Sequence, residues 1–479
     1  MEFMVKYEWC EKCQLDNLKL NFTKWTSKND EIDYLIQKMK LSNISRFGTG
    51  FEWIPYKQFS NIKKINDYDF TKMYSAIWKN DFYYCKYLYK KEQIRKLKSK
   101  VVLKYSQNIT YEIKYSSYKK YGISQDPITK EYIMIFENKY CEKCNEIYTD
   151  IFFKWCKSCQ INDLKKNFTN WTSGNIIIDN LIREMQLKIN NTDDTIFEWI
   201  PYNRFSNIKE IGKGGFATIY SAIWKDGPSS YNKYEYSRNQ KKVALKQLYN
   251  SENITIEFLN EVKGYSIGIF ENVLSIYGIS QNPDTKNYVM VLDYAEGGNL
   301  YNWVNKYYNK LDWSYNIKAL ISIIEGLEKV HQENMVHRDF HTGNILLMNT
   351  YLDYCISMHI SDMGLCGKVD NTDKTKIYGV MPYVAPEVLR GNPYTQAADI
   401  YSFGMIMYYV ATGRQPFCNC AHDEILVLDI CKGIRPEINE PEAPKCYIDL
   451  MKRCWDSNPN NRPKATEINE LIKLFHMSY

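Results

Sequence analysis

The chain is 479 residues long, which at about 100 to 200 residues per domain implies two or three domains. Hydrophobic residues make up 44% and charged residues 25%, a globular balance that excludes a disordered tail or a fibre. The net charge of +6 arises in the first 150 residues while the remainder is slightly acidic, and such a surplus bears on solubility and non-specific attraction without identifying a partner.

At the start, Glu2, Lys6, Glu8 and Glu11 occupy positions where a secretory leader would be apolar, and no uninterrupted apolar run is long enough for a membrane span. The expectation is a soluble, intracellular, cytoplasmic protein without a membrane segment. Its 14 cysteines are then expected as thiols or metal ligands instead of disulfides.

The chain repeats itself. Cys10-Glu-Lys-Cys-Gln and Asn21-Phe-Thr-Lys-Trp-Thr-Ser27 return 146 positions later as Cys156-Lys-Ser-Cys-Gln and Asn167-Phe-Thr-Asn-Trp-Thr-Ser173. The match runs on through Phe51-Glu-Trp-Ile-Pro-Tyr56 and Phe197-Glu-Trp-Ile-Pro-Tyr202, then Tyr74-Ser-Ala-Ile-Trp78 and Tyr220-Ser-Ala-Ile-Trp224. It continues to Val101-Val-Leu-Lys104 against Val243-Ala-Leu-Lys246, and stops near Phe136 and Leu292. So long a period marks a duplicated domain portion and not a solenoid. In the first copy Asn66, Tyr68 and Thr71 replace the glycine-rich positions of the second. Its register slips between Ile109 and Tyr121, which predicts loss of a helix after Lys104. The basic, Tyr-rich run Lys86 to Lys104 is open to a nucleic-acid reading. The matching insertion in the second copy, Asp226 to Lys242, favours an exposed loop between strands, so no nucleic-acid partner is expected.

Between the copies, Cys141-x-x-Cys144 and Cys156-x-x-Cys159 have the spacing of a zinc ribbon, and four thiolates satisfy tetrahedral zinc with no open position. A structural zinc site and four unrelated thiols are the two readings. Cys10 and Cys13 match the second pair alone, and no stable metal site is expected there.

In the second copy, Gly212-Lys213-Gly214-Gly215-Phe216-Ala217 links the apolar run from Ile208 to Ile211 with the strand-like run from Thr218 to Trp224. Glycines in such a turn let backbone N–H groups approach phosphates. Val243-Ala-Leu-Lys246 sets a lysine on a strand, and Glu261 follows in a helix-like stretch from Ile254 to Lys263. Next come His337-Arg338-Asp339 with Asn344 five residues after the carboxylate, then Ser361-Asp362-Met363-Gly364 and Ala385-Pro386-Glu387. Each piece alone has a bland reading: a hairpin, a strand-edge charge, a turn cap.

In this order the set resembles the protein kinase family, whose signatures are a Gly-rich loop, a strand lysine, H-R-D-x-x-x-x-N, D-F-G and A-P-E. The resemblance covers about Phe205 to Phe475. Asp399 and Arg462 look like the aspartate that braces the catalytic loop and the arginine that pairs with the glutamate of A-P-E, here Glu387. Cys454-Trp455 and Ile400-Tyr-Ser-Phe-Gly404 are closest to the tyrosine-kinase-like branch. The upstream Trp-Ile-Pro-Tyr segments look like a lineage-expanded fungal family within it.

The resemblance implies an α+β, two-lobed fold with an antiparallel β small lobe and a mainly helical large lobe, preceded by a degenerate duplicated small lobe. The implied domains are residues 1–139 (partial small lobe), 140–204 (cysteine knuckles and helical linker) and 205–475 (kinase). It implies ATP and magnesium, with transfer to Ser/Thr or Tyr hydroxyls of a protein substrate. Asp339 would take the substrate hydroxyl, Asn344 and Asp362 would hold magnesium, and Lys246, fixed by Glu261, would hold the α and β phosphates. Ile211, Ile219 and Ala244 would cover adenine. The backbone from Asp293 to Ala295 would bond its edge, with Leu292 as gatekeeper. Ala217, Met363, His341 and Val380 depart from the family pattern, the last two leaving the acceptor hydroxyl open. Arg338 beside the base invites phosphorylation of Thr372, Thr375 or Tyr378. The alternative is a catalytically weak pseudokinase scaffold that binds nucleotide and partners. The first copy lacks any catalytic loop; its apolar sheet face is expected to need cover, from the second copy or by dimerisation.

Overall fold

The computed structural model describes residues 27–42, 51–65, 72–79, 83–84, 94–95, 99–106, 108–115, 119–215, 217–232, 235–265, 272–308, 312–349, 356–368, 378–438 and 443–478. Phe216, Thr372, Thr375, Cys10, Cys13, Asn66, Tyr68 and Thr71 lie outside these residues, as does most of the basic run after Lys86. The chain forms two compact units, Met1–Cys156 and Lys157–Tyr479.

The first unit begins with helix α1 (Asp30–Ser42), followed by β1 (Glu52–Trp53), β2 (Phe59–Lys64), β3 (Met73–Trp78), β4 (Ser99–Ser106), α2 (Ile109–Tyr115), β5 (Lys120–Gln125) and β6 (Tyr132–Glu137). These six strands form one sheet in the order β1-β5-β6-β4-β3-β2, antiparallel except for the β1–β5 pair, and Tyr83–Tyr84 pairs separately with Ile94–Arg95. Alternation splits the sheet's apolar residues between two faces: Val102, Ile123, Met134 and Phe136 to one, Val101, Leu103, Ile133 and Ile135 to the other. Two expectations are corrected here. The first face does not wait for a partner, because Ile32 and Ile36 of α1 and Ile109 of α2 are buried against it. Nor is the helix after Lys104 lost. It shortens to the seven residues of α2, whose Glu112 pairs with Lys104 at 2.6 Å. The slip in register removed chain length but kept about two helical turns and their carboxylate.

The second unit opens with α3 (Lys157–Asn167) and α4 (Ile176–Gln186), then β7 (Glu198–Trp199), β8 (Phe205–Lys213), β9 (Ala217–Trp224), β10 (Ser229–Asn232), β11 (Glu235–Arg238), β12 (Lys241–Leu248), α5 (Ile256–Tyr265), β13 (Ile276–Gln281) and β14 (Tyr288–Asp293). The sheet order β8-β9-β12-β14-β13-β7 is the same topology as the first unit's. The insertion expected to be a loop is a two-stranded hairpin, β10 with β11.

The large lobe is helical: α6 (Leu300–Tyr307), α7 (Trp313–Gln332), α8 (Pro386–Leu389), α9 (Gln396–Thr412), α10 (Glu424–Lys432), α11 (Lys445–Cys454) and α12 (Ala465–Ser478). Asp312 caps α7 by accepting from Ser314 N–H, and Gly413 ends α9 in the left-handed conformation at φ 65°. Helix α9 is apolar on every side and buried almost throughout, so it forms the axis of the lobe. Among the described residues no helix is long and apolar enough to cross a membrane.

Candidate functional site

The glycine-rich turn joins β8 to β9, with Gly212 opposite Ile219 and Gly214 N–H donating to the Ala217 carbonyl at 2.9 Å. A Cβ at 212, 214 or 215 would meet no protein atom closer than 3.8 Å, so packing within the lobe does not demand glycine there. Open space below the turn is what an approaching phosphate requires. Lys213 and Ile211 are exposed, and Ala217 is buried. Along the sheet, Ala244 pairs with Leu292 and Val243 with Asp293, which sets Ala244 beside the strand leading to Ala295. Lys241 holds the Asp293 carboxylate at 3.1 Å.

Lys246, two residues further along β12, is buried and contacts both Glu261 of α5 and Asp362, the latter at 2.8 Å. Burial alone would depress the Lys246 ammonium, but Glu261, Tyr265 and Asp362 together outweigh it and hold the group protonated well above the usual lysine range. Burial likewise works against the Asp362 carboxylate, and the charge and hydrogen bond of Lys246 together with His337 overcome it, leaving Asp362 below its ordinary value. Asp362 sits at φ 59°, a left-handed conformation that costs a non-glycine residue about 1–3 kcal/mol and turns the carboxylate toward the lysine. Tyr265, one turn after Glu261, accepts the Asp362 backbone N–H at 2.9 Å. A Cβ on Gly264 would lie 2.8 Å from Met363 Cβ, so the glycine admits methionine in the place of the family's phenylalanine. Tyr265 and Gly264 were not singled out from sequence; their signal is spacing from Glu261 on one helix.

The catalytic-loop segment hangs from Asp399 at the start of α9. Its carboxylate accepts His337 N–H at 2.8 Å and Arg338 N–H at 3.1 Å, and lies 2.9 Å from His331 Nε2. Asn344 Nδ2 donates to the Asp339 carbonyl at 3.0 Å and to its Oδ2 at 3.2 Å, leaving the amide oxygen as a metal donor. His341 accepts Gly343 N–H at Nδ1, so the ring proton lies on Nε2, 3.5 Å from Asp339 Oδ1. Burial would raise the Asp339 carboxyl, but His341 and then His337 and Asn344 hold it below the usual range. A cleft at this point is lined by Asp339, Gly379, Val380 and Tyr383. Tyr378, among the expected modification sites, is half-buried, and its backbone N–H donates to Tyr394 at 2.8 Å.

Arg462 forms the expected buried pair with Glu387, through two N–O contacts of 2.7 Å. The four knuckle cysteines also meet: the sulfur atoms of Cys141, Cys144, Cys156 and Cys159 lie within 4.8 Å of one another. Sulfurs on a common zinc at about 2.3 Å would stand about 3.8 Å apart, so the donor set fits such an ion.

The family described as protein tyrosine and serine/threonine kinase matches residues 205–472. A Dictyostelium discoideum protein named as a serine/threonine-protein kinase is 28% identical over 283 residues, covering 58% of this chain and 20% of that protein. A protein of Acanthamoeba polyphaga mimivirus named as a serine/threonine-protein kinase/receptor is 30% identical over 338 residues, or 69% of this chain and 20% of that protein. Human mitogen-activated protein kinase kinase kinase 7 is 28% identical over 287 residues, 58% of this chain and 42% of that protein. The chain thus spans about a fifth of the length of the first two relatives.

Proposed function

The chain belongs to the protein kinase family, and from that premise we propose that it transfers the γ-phosphoryl group of ATP to serine or threonine hydroxyls of a protein substrate. The observation that carries the reading is the contact of Lys246 with both Glu261 and Asp362. Residues 15 and 116 positions from the lysine meet at a single ammonium only when both lobes are in a competent arrangement.

In this reading Lys246 bonds the α and β phosphates from beneath the turn at 212–217. Ile211, Ile219 and Ala244 enclose the base, and the backbone of Asp293 and Ala295 reads its edge. Asp339, held ionised by its neighbours, takes the acceptor hydroxyl's proton as that oxygen bonds to the γ-phosphorus and the bond from that phosphorus to the β-phosphate oxygen breaks, releasing ADP. Asn344 and Asp362 would hold magnesium, which would supply positive charge against the negative charge of the phosphates. Kinase names among the relatives favour Ser/Thr over Tyr. The test is phosphoamino-acid analysis of autophosphorylated wild type beside Asp339→Asn. Phosphoserine or phosphothreonine in the wild type alone is expected; folded wild type without incorporation would leave a nucleotide-binding scaffold as the reading.

Cys141, Cys144, Cys156 and Cys159 are proposed to hold a structural zinc ion, supported by the gathered sulfurs and their spacing. Purified wild type should carry about one zinc per chain and Cys141→Ser much less; less than half an equivalent in wild type defeats the proposal.

A further inference from the structure

The family match opens at Phe205, yet helix α4 upstream of it is built into the same core. Ile178, Leu181, Ile182 and Met185 form one apolar stripe at i, i+3, i+4 and i+7, all buried in the cluster that contains Phe258, Val262 and Tyr265 of α5. Polar contacts fix both ends of α4. Asn175 caps it by accepting Ile177 N–H and also meets the Tyr288 hydroxyl. The Tyr288 ring in turn lies 5.8 Å from that of Phe258, one turn before Glu261. At the far end Glu184 faces Lys263, two residues past Glu261, at 3.8 Å.

The first unit repeats this arrangement. Ile32-Asp33-x-Leu35-Ile36-x-x-Met39 of α1 has the same pattern as Ile178-Asp179-x-Leu181-Ile182-x-x-Met185. Ile32 and Ile36 are buried in one cluster with Ile109 of α2, the helix that carries Glu112. Asn29, the counterpart of Asn175, donates to the Tyr132 hydroxyl at 3.0 Å, and Tyr132 is the counterpart of Tyr288. A helix copied with the lobe, and seated each time beside the helix that supplies the lysine's carboxylate, is part of the lobe's working unit.

We propose that α4 is a brace for α5, and that Asn175, Leu181 and Ile182 are positioning residues for the Lys246–Glu261 pair. The physical need is plain. Desolvation offsets much of the attraction in a buried ion pair, so the pair alone holds a mobile helix weakly and the packing of α4 keeps α5 inward. The proposal rests on the phosphotransfer reading.

The test is a double-mutant cycle on the full chain between Leu181→Ala and Glu261→Gln, read by kcat and by KM for ATP, with melting temperature as a fold control. If α4 acts through the pair, Leu181→Ala lowers kcat about tenfold with KM changed less than about threefold, and changes kcat less than about twofold once Glu261 is already glutamine. An equal loss in both backgrounds, or no loss in the first, overturns the brace while leaving the kinase reading intact. Absent turnover in wild type overturns both. Should Leu181→Ala melt below the assay temperature, Asn175→Ala, which removes the cap and the Tyr288 contact but no core side chain, runs the same cycle with the same outcomes.

Discussion

Removing the Arg462 side chain tests how the large lobe holds the end of the activation segment. The guanidinium is fully buried and the Glu387 side chain 9% exposed. Besides its two contacts with Glu387, Arg462 donates to the Ala397 carbonyl at 2.7 Å and, through Nε, to the Asp456 carbonyl at 2.9 Å. Alanine at 462 would strand the Glu387 carboxylate in the interior, which costs about 3–5 kcal/mol. For a unit of this size, at about 2–4 °C per kcal/mol, melting should fall by roughly 10 °C. Arg462→Lys keeps the charge but loses the two-pronged geometry, and should cost about 1.5–3 kcal/mol. Because a buried pair replaced by apolar groups of similar size is often close to neutral, Arg462→Met with Glu387→Leu should recover most of the loss. Urea unfolding followed by circular dichroism measures all three. A loss below about 1 kcal/mol for Arg462→Ala, or a double variant no better than the single one, would refute the reasoning. Glu387 ends the stretch that includes Val380 and Tyr383 at the cleft beside Asp339, so turnover should fall with stability.

The two copies should respond oppositely to the same change. Lys246→Met should lower kcat/KM by at least about a hundredfold and Lys104→Met by less than about twofold in a radiometric transfer assay, and comparable losses would contradict the assignment of chemistry to the second copy. Gly264→Ala places a methyl 2.8 Å from Met363 Cβ, and should cost about 1–3 kcal/mol of packing and reduce turnover; unchanged activity and melting would refute the close approach. The Asp339 carboxyl should titrate, by carbon NMR, below the 3.8 of an unperturbed aspartate, because His341, His337 and Asn344 together outweigh burial. Its folded value is depressed, so its contribution to stability is present above the unfolded value and is lost as pH falls through the folded one. His341→Gln should move the midpoint upward, and a midpoint that stays put would remove His341 from the account.

The contacts among the candidate residues were legible because the signature residue types stand in a fixed order: Lys246 meets Glu261 and Asp362, Asn344 bonds Asp339, and Asp399 and Arg462 make their expected bonds, while the roles in phosphoryl transfer belong to the proposal. Tertiary rescue was not legible. The shortened helix α2 keeps Glu112 in reach of Lys104 although the sequence there reads as a deletion, because two turns suffice to present a carboxylate. The Tyr- and Lys-rich insertion reads as a loop because its residues lack alternation, yet Ser229 to Arg238 close as a hairpin with Arg238 held on Glu198 at 2.7 Å. Helix α4 was readable only as a linker, since its apolar stripe does not say which neighbour it will cover.

The surviving pair in the first unit sharpens what marks a kinase lobe as chemical. Lys104 and Glu112 pair at 2.6 Å with side chains 23% and 12% exposed, so a lysine–glutamate contact on this sheet forms without any catalytic loop in that unit's sequence. A half-buried pair of this kind neutralises two charges beside an apolar face, which is reason enough for the lobe to form it. In the second unit the same lysine has a further partner, Asp362, carried in by the large lobe. Two carboxylates on one ammonium exceed what charge neutralisation requires. That surplus negative charge is what a magnesium ion held by Asp362 would compensate. The third member, and not the pair, is therefore what distinguishes the second copy from the first.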